Sequence, residues 1–405
     1  MASEILTENI LVENKLNFNR NIMLWYYTPQ PPPCVVSQFA GVIYNINSNE
    51  FTQKYTKEYT IYFVGSYSKF QSMLTLWDGL SYWIDINNTC RVEKAKKFPQ
   101  NIHNLGVYIN NYFDDKNGYF NNVTYFRRII SEHKFQTLTE SNKLSVANRS
   151  AIYLGQVTKS ISPQNGESEI SFPLLRCSSN LGGPTDNFRE TDTPIINSTN
   201  TLCAGVFEQK VNMNHVLAQV YTNTNKHKAK IKAHTDKTKD MPKNGVIAFV
   251  TFYDFPVDVR YKIVAGDILY KQTSALTQLV FRAKSPSQEP QIFNVILEPG
   301  SIFVIPLSTN RLFTHEIKPS TLPADKIPTR LGYVIRCSKT RAIYSNSQTF
   351  VLDSQSNRHV LRYPTTQDNH ELRKKYFQEN FTSDFVDYGD VDFSMNAGDY
   401  EEPTI

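Results

Sequence analysis

Short runs of apolar, β-branched and aromatic residues, each bounded by turn-forming residues, dominate the second half of the chain. This pattern is typical of β-strands, and amphipathic helical spacing is rare in the same region. Many short strands with few helices predict a mainly β (α+β) fold built on a double-sheet jelly roll, also called a double-stranded β-helix. The predicted strands of this core are 216–221, 229–233, 246–253, 276–283, 292–297 and 302–305.

Flanking elements are predicted around this core. Residues 1–30 predict a short polar helix followed by a stiff proline-rich linker, and 39–67 alternates apolar with polar residues as strands do. The segment 160–193, with Gly182-Gly183-Pro184 at its centre, is predicted to be loop-rich. Apolar residues at helical spacing, or a run of charged residues, predict helices over 68–80, 125–138 and 370–380.

The length of 405 residues suffices for two or three domains, or for one elaborated domain. We divide the chain where its pattern changes. An N-terminal extension of unknown role covers 1–120, and the jelly-roll domain covers 121–345. A C-terminal strand and helix occupy 346–383, and the acidic segment 384–405 is predicted to be a disordered tail.

Composition and charge indicate the cellular compartment more clearly than the class of binding partner. The net charge of +5 permits an anionic partner without requiring one. The five cysteines are odd in number and show no C-x-x-C spacing, which favours a reducing compartment. The N-terminus carries no secretion signal, and no window has the roughly 20 apolar residues of a membrane span. We therefore expect a cytoplasmic or nuclear protein without a membrane partner, and its oligomeric state stays open.

Candidate chemistry is concentrated in the predicted core. In a strand, residues i and i+2 point to one side, so His234 and Asp236 are expected to bind one metal ion while Thr235 points away. A third ligand must come from another strand, and His315, which follows an apolar run, suits that role. Two histidines and one carboxylate with open positions form the facial triad of non-haem Fe(II) oxygenases. Arg330 then offers a planar, permanently charged fork for the distal carboxylate of 2-oxoglutarate.

Longer motifs around these residues resemble a known family. The segments Leu312-Phe-x-His315-x-Ile317-x-Pro319 and Arg330-Leu-x-x-x-x-Arg336 are similar to the R-L-F-x-H-x-I-x-P and R-x-N-x-T-F-R motifs of the AlkB-like Fe(II)/2-oxoglutarate-dependent dioxygenases. The segment 214–221 resembles the N-x-V-L-x-N-x-Y strand of that family, and 149–155 resembles its P-R-x-x-x-x-x-G segment. The likeness covers residues 145–341, about half of the chain.

This chain departs from the family pattern at several positions. Gln219 replaces the asparagine of the strand, and Gly332 and Val334 replace the asparagine and threonine of the arginine motif. Thr238 stands where an acidic residue often helps the family to recognise the substrate base. The strand 276–283 falls in an insertion relative to the family, and we expect it to form an extra hairpin at the substrate entrance. The resemblance therefore informs the metal and co-substrate roles more than the identity of the substrate.

The resemblance implies a 2-oxoglutarate- and Fe(II)-dependent dioxygenase, an oxidoreductase that also consumes O2. Its metal ligands would be His234, Asp236 and His315. Arg330 would pair with the distal carboxylate of 2-oxoglutarate, and Tyr221 would donate a hydrogen bond to the co-substrate. Arg336 shares the strand parity of Arg330 and would reach the near carboxylate or the substrate.

Nucleic acid is the partner that the resemblance implies. The family hydroxylates an N-alkyl group on a nucleobase of DNA or RNA, and the base must be single-stranded or flipped to be reached. In the family, the position of 160–193 is that of a nucleotide-recognition lid, although a plain surface loop is an equal alternative here. Lysines near the entrance would favour a phosphate backbone; they are Lys226, Lys228, Lys230, Lys232, Lys237, Lys239 and Lys243.

Three alternatives stay open at this point. Strict alternation would aim Lys232 at the cavity, whereas strand twist or a bulge would turn it to solvent. The same iron centre could hydroxylate or demethylate a protein or a small molecule instead of a nucleobase. The fold could also serve a non-enzymatic binding or structural module, against which the intact ligand set and Arg330 argue.

Overall fold

The computed structural model describes most of the chain after residue 19, and the described residues fall mainly in strands with few helices. No helix in this part of the chain is long and apolar enough to cross a membrane. Cys34, Cys203 and Cys337 are free thiols. The described ranges are 20–26, 31–45, 59–65, 70–71, 81–84, 98–113, 119–139, 146–161, 166–175, 181–207, 212–264, 266–389 and 391–405.

The elements are numbered along the chain. The first strands are β1 (Asn21–Trp25), β2 (Val42–Asn45), β3 (Thr60–Val64), β4 (Ser81–Ile84), β5 (Pro99–Ile102), β6 (Gly106–Ile109), β7 (Gln136–Thr139), β8 (Val146–Gly155), β9 (Thr158–Ile161), β10 (Ser168–Pro173), β11 (Asp186–Asn187) and β12 (His215–Tyr221). The later strands are β13 (Ile231–His234), β14 (Val246–Asp254), β15 (Lys262–Val264), β16 (Asp267–Tyr270), β17 (Thr273–Ser274), β18 (Gln278–Ala283), β19 (Ile292–Ile296), β20 (Ile302–Pro306), β21 (Phe313–Lys318), β22 (Thr329–Arg336), β23 (Arg341–Ser345), β24 (Gln348–Leu352) and β25 (Arg358–Val360). The helices are α1 (Pro33–Gln38), α2 (Tyr119–Glu132), α3 (Asp192–Val206), α4 (Leu307–Leu312) and α5 (Thr366–Phe381), with short 3-10 turns at Ala324–Lys326 and Ala397–Tyr400.

A nine-stranded sheet, here called the central sheet, runs in the order β11-β8-β12-β22-β14-β20-β6-β5, with β7 pairing beside β8. Its middle strands β14 and β20 are apolar along nearly their whole length because both faces are covered. On one face, the side chain of Asn122 in α2 exchanges two hydrogen bonds of 2.9 Å with the backbone of Tyr253 in β14. The helix is therefore fixed to the outside of the sheet.

A four-stranded antiparallel sheet, here called the second sheet, packs on the other face in the order β13-β21-β18-β19. Aromatic rings join the two sheets: Phe281 meets Phe303 edge-on at 5.8 Å between ring centroids, and Phe249 meets His315 at 5.5 Å. The largest hydrophobic cluster among the described residues includes buried side chains of both sheets. Burial of these apolar faces is the main favourable free energy that holds the sheets together.

The strand expected to form an extra hairpin lies inside the second sheet. β18 lies between β21 and β19, and its Phe281 is paired with His315 across the strands. Phe281 is fully buried and stacks on Phe293 at 4.6 Å between centroids. β18 does form an antiparallel hairpin with β19, and this hairpin is part of the second sheet and its core. Its place at a substrate entrance stays a prediction.

The helix predicted over 125–138 begins earlier and ends earlier, as α2. Phe126 and Ile129 do face the core, as their spacing indicates. Leu138 instead lies in β7, which pairs with β8. Leu138 matches the helical spacing only by chance, because it is an apolar residue of the following strand.

His133, which follows α2, is clamped between two buried carboxylates. Its Nδ1 lies 2.7 Å from Asp186 and its Nε2 lies 2.8 Å from Asp192. Asp192 also accepts a hydrogen bond of 2.7 Å from the Tyr333 hydroxyl. Glu132, His133 and Asp192 are close enough to resemble a metal site. Because both ring nitrogens face carboxylates within hydrogen-bond distance, we interpret the group as a buried ion pair that joins α2 to α3.

We expect this ion pair to make stability depend on pH. Burial lowers the pKa of His133, but the hydrogen bonds and charges of Asp186 and Asp192 outweigh it and raise the pKa from 6.5 to about 9. A raised folded-state pKa stabilises the fold fully below pH 6.5, and this contribution is lost as the pH rises through about 9. The contribution is on the order of 3 kcal/mol. Urea unfolding between pH 6 and 9.5 should show the fall.

The matched variants for this measurement are His133→Gln and His359→Gln. The His133→Gln protein should be less stable at pH 6 and should lose the slope between pH 6.5 and 9. His359 has a side chain that is 57% exposed and pairs with Asp353 at 3.0 Å, so its replacement is the control for losing a histidine pair at the surface. Equal slopes in wild type and His133→Gln would contradict the assignment.

The acidic segment predicted to be a disordered tail is packed onto the fold. Val386, Tyr388 and Phe393 are buried in a cluster with residues of α5. Asp392 pairs with Arg362 at 2.9 Å, and Thr404 bridges to β11. The composition was misleading because the acidic residues alternate with apolar ones that bury, and several carboxylates bond within the segment.

The N-terminal predictions also need correction. Most of the predicted polar helix and part of the predicted linker lie outside the described residues. Within the described residues of this segment, β1 lies in a parallel sheet of order β2-β1-β3-β4, and Pro33 begins α1. The strand prediction for 39–67 is confirmed for β2 and β3, while the helix predicted over 68–80 lies mostly outside the described residues. The predicted boundary at residue 120 separates β5 and β6 from the central sheet that they extend.

The segment 160–193 is more regular than expected. β9 and β10 join β23, β24 and β25 in a five-stranded antiparallel sheet, so the C-terminal strand predicted at 348–353 is present as β24. α3 begins at Asp192. The loop-rich prediction is wrong for the strands because glycine, proline and serine in the connecting turns dominated the composition.

Candidate metal centre

Two strands of the second sheet bring the two candidate histidines together. β13 and β21 run antiparallel, and His234 is the direct cross-strand partner of His315. Their ring centroids lie 4.5 Å apart. Side chains of directly opposed residues project to the same face of a sheet, so both imidazoles reach the same side.

Asp236 lies beyond the end of its strand. β13 ends at His234, so strand alternation does not place Asp236 as we expected; the loop after β13 does. Asp236 Oδ1 lies 3.8 Å from His234 Nε2 and 3.9 Å from His315 Nε2. One donor atom from each of the three residues lies within 4.8 Å of the others.

The donor atoms suit a divalent metal. His234 Nδ1 lies 2.8 Å from the Lys232 carbonyl oxygen. In the tautomer whose Nδ1–H donates to this carbonyl, Nε2 is unprotonated, and its lone pair faces Asp236. Among the described residues, the buried Asp236 Oδ2 and His315 Nδ1 have no hydrogen-bond partner. Two neutral imidazole nitrogens and a carboxylate oxygen are the ligand set of the 2-His-1-carboxylate site, so these residues fit Fe(II).

The electrostatics favour the protonation states that a metal requires. Burial, with a smaller contribution from His234, lowers the pKa of His315 from 6.5 to about 3. Burial also lowers the pKa of His234. For Asp236 burial acts to raise the pKa, but the positive charge of Arg336 and the two histidines outweigh it and the pKa is lowered. At neutral pH the imidazoles are therefore neutral and the carboxylate is charged.

Asn310, a buried residue of α4, fixes the backbone of Asp236. Its Oδ1 accepts a hydrogen bond of 2.9 Å from the Asp236 N–H, and its Nδ2 donates one of 2.9 Å to the Asp236 carbonyl. The side chain thus replaces the strand partner that this loop lacks. The sequence pattern contained no signal for this role, because the two residues are 74 positions apart.

Helix α5 clamps the same loop from outside. Asn380 Oδ1 accepts hydrogen bonds of 2.8 Å from the Thr235 N–H and of 3.0 Å from its hydroxyl. Lys237 Nζ donates to the Tyr376 carbonyl at 3.1 Å, and both polar groups of Thr238 bond to the Glu379 carboxylate. The C-terminal helix therefore supports the loop that carries Asp236.

We expect Asn310→Ala to weaken metal binding without removing a ligand. The change leaves the N–H and carbonyl of Asp236 unpaired and should cost about 1–3 kcal/mol of stability. Loss of such supporting contacts typically lowers metal affinity by about 10- to 100-fold. Metal titration and thermal unfolding would measure both effects, with the exposed Asn225→Ala as the control. Wild-type metal affinity in Asn310→Ala would contradict the role.

Arg330 is a buried cation with free hydrogen-bond donors. It is 3% exposed, and its guanidinium lies 4.6 Å from the centre of the Tyr221 ring. Nη2 donates to the Thr251 hydroxyl at 3.4 Å, while Nε and Nη1 have no partner among the residues that the structure describes. A buried guanidinium with unused donors fits a carboxylate ligand. Thr251 was not anticipated from the sequence.

Gly332 explains one departure from the family motif. A Cβ at this position would lie 2.6 Å from Arg330 Nη2, so the glycine provides the space in which the guanidinium rests. Tyr221 keeps its ring against Arg330, but its hydroxyl donates to Gln219 Oε1 at 2.6 Å. The Tyr221 hydroxyl, which we expected to bind the co-substrate, therefore bonds to Gln219, which is itself a departure from the family motif.

Arg336 lies against the candidate ligand Asp236. Its Nη1 is 3.7 Å from Asp236 Oδ2, and the residue is 1% exposed. Arg330 and Arg336 share one face of β22, as their even spacing predicts. Arg336 is therefore placed to hold the charge of Asp236.

The lysines near the entrance divide into two groups. Lys230 and Lys232 are exposed, which favours the alternative in which the strand turns them to solvent. Lys228 donates to the Ser320 carbonyl at 3.0 Å, and Lys239 pairs with Asp240 at 3.0 Å. Lys228 and Lys239 therefore form contacts within the protein, whereas Lys230 and Lys232 face solvent.

Comparisons with known proteins give weak similarities only. No family model and no curated protein sequence matches the chain. The structure of OsALKBH1 is similar to 57% of this chain and 96% of its own, at 15% identity and a TM-score of 0.33. The structure of EvdMO1 is similar to 79% of this chain and 87% of its own, at 8% identity and a TM-score of 0.25. These values do not assign the chain to a family.

Proposed function

We propose that this protein is an Fe(II)- and 2-oxoglutarate-dependent dioxygenase whose two packed sheets form a double-stranded β-helix. One observation carries the proposal: His234, Asp236 and His315 converge, and the strand whose Arg336 contacts Asp236 also carries the buried guanidinium of Arg330. The ligand set suits Fe(II), and Arg330 suits the carboxylate of a co-substrate.

Each side chain has a defined task in this proposal. His234, Asp236 and His315 would hold the metal, which supplies the chemistry that couples O2 and 2-oxoglutarate to hydroxylation of a substrate C–H bond. Arg330 would bind the distal carboxylate of 2-oxoglutarate from its buried position. Arg336 would keep Asp236 charged and oriented. Phe249 and Phe281, whose rings flank His315, would exclude water from one side.

The substrate that we propose is an N-alkylated nucleobase, which the enzyme would dealkylate oxidatively in DNA or RNA. The motifs around His315 and Arg330 support this substrate class through their resemblance to the AlkB-like dioxygenases. Exposed Lys230, directly before β13, and Lys232, within it, would attract a phosphate backbone.

A second candidate is hydroxylation or demethylation of a protein or small molecule by the same iron centre. The contacts of Thr238 favour it: the residue stands where the family often has a base-reading acid, and both its N–H and hydroxyl are bonded to Glu379. Lys237 is engaged with Tyr376 in the same way.

The deciding experiment is conversion of 2-oxoglutarate to succinate by the purified protein with Fe(II), alone and with alkylated oligonucleotides. Stimulation by alkylated but not by unmodified oligonucleotide would support nucleobase dealkylation. Turnover that oligonucleotides do not stimulate would favour the second candidate. Absence of both turnover and metal binding would overturn the enzyme proposal in favour of a binding or structural module.

A further inference from the structure

A cavity of about 450 Å³ lies away from the metal centre. Its walls come from β5 and β6 at one edge of the central sheet, from the β15-β16 hairpin and from β19. β19 is the edge of the second sheet opposite β13, and no residue of the metal centre lines the cavity. The volume is within the range of small-molecule sites.

The polar lining of this cavity carries negative charge. Asp267 and Glu298 line it, and no lysine, arginine or histidine does so among the residues that the structure describes. The Glu298 carboxylate rests over Gly266, where a Cβ would lie 2.5 Å from its Oε2. Asp267, the residue after Gly266, lines the same cavity as Glu298, and two like charges in one recess favour a cation.

A buried amide adds an unused acceptor. Asn110 lines the cavity, is 3% exposed, and its Oδ1 has no hydrogen-bond partner within the described part of the chain. A buried carbonyl oxygen without a donor costs free energy. An ammonium group offers three donors and no acceptor, which complements an amide oxygen beside two carboxylates.

The remaining walls select an organic cation over a metal ion. Ile102, Leu269 and Val295 provide apolar surface. No set of three acidic or histidine side chains converges on this cavity among the described residues, so the concentrated ligand set of a metal site is not found there. We propose that the cavity binds a small organic ammonium compound, its charged head held by Asp267, Glu298 and Asn110 and its short hydrocarbon body against the apolar wall.

Calorimetric titration of the full chain with 1,5-diaminopentane tests this site, with the neutral 1,5-pentanediol as the matched ligand control. We expect saturable binding of the diamine and none of the diol. Glu298→Gln and Asp267→Asn should each weaken diamine binding by about tenfold or more, because each removes a charge-assisted hydrogen bond. Asp258→Asn, an exposed acid outside the cavity, should bind as wild type does.

A variant that binds the diamine more tightly than wild type distinguishes an effect on the binding site from a folding defect. Asn294 lines the cavity from β19 and is exposed, so Asn294→Asp should tighten diamine binding by roughly threefold, and Asn294→Lys should weaken it. The proposal is overturned if wild type shows no saturable binding, if the diol binds equally, or if Glu298→Gln leaves the affinity unchanged. Displacement of the diamine by Ca²⁺ at lower concentration would also overturn it, since the site would then be a metal site.

Discussion

His234→Ala is expected to abolish Fe(II) binding and, with it, turnover of 2-oxoglutarate. The change removes one of three donors whose atoms lie within 4.8 Å of one another. Changes to supporting contacts alone lower metal affinity by about 10- to 100-fold, so loss of a ligand should lower it by more than about 100-fold. Anaerobic titration with Fe(II), or with Co(II) as a coloured substitute, measures the affinity, and succinate formation measures the turnover.

His227→Ala is the matched control for this prediction. His227 is an exposed residue shortly before β13, and its backbone N–H and carbonyl form hydrogen bonds with Thr224 and Asn148. That variant should bind iron and turn over as wild type does. Asp236→Ala should reproduce the loss seen with His234→Ala, since both remove a ligand from the same ion. A His234→Ala protein that keeps wild-type iron affinity and activity would exclude the proposed centre.

Arg330→Ala is expected to weaken 2-oxoglutarate binding while leaving iron binding intact. The guanidinium is buried and has two donor atoms without partners in the described structure, so it is available for a bidentate pair with a carboxylate. Losing that pair should cost about 1.5–3 kcal/mol or more, roughly 10- to 100-fold in affinity. Binding of 2-oxoglutarate to the protein loaded with Co(II), followed by absorption, measures the loss apart from catalysis.

Two further variants make this measurement specific. Arg330→Lys should restore affinity only in part, because an ammonium cannot form the planar two-point contact. Arg341→Ala removes an exposed arginine of β23, the next strand along the chain, and should not change the affinity for 2-oxoglutarate. Unchanged 2-oxoglutarate affinity in Arg330→Ala would show that another cation binds the co-substrate.

The strands of the core were predictable because their signal is local. Apolar runs located β12, β14, β19 and β20 to within a few residues, since each strand buries the side chains that form its own pattern. β22 likewise contains apolar residues between Arg330 and Arg336, which it buries in the central sheet. The residue types of the candidate site came from motif and spacing, although the parity argument for Asp236 was wrong.

The supports of the site were not predictable. Asn310 reaches Asp236 across 74 positions and Asn380 reaches Thr235 across 145, and a hydrogen bond between such distant residues leaves no periodic trace in either segment. The prediction that the C-terminal segment 384–405 is a disordered tail was wrong for a related reason. Its acidic composition indicates disorder, but its few apolar residues, such as Phe393, find a surface that only the folded chain presents.

The sequence by itself determined a strand-rich core and the chemistry of its candidate ligands, because alternation and residue type are properties of single segments. Only the tertiary structure decided that His234 faces His315 across two strands, that Asp236 joins them from a loop, and that α5 holds this loop in place. The physical reason is that convergence depends on which strands pair and in which register, and pairing is selected by burial over the whole chain.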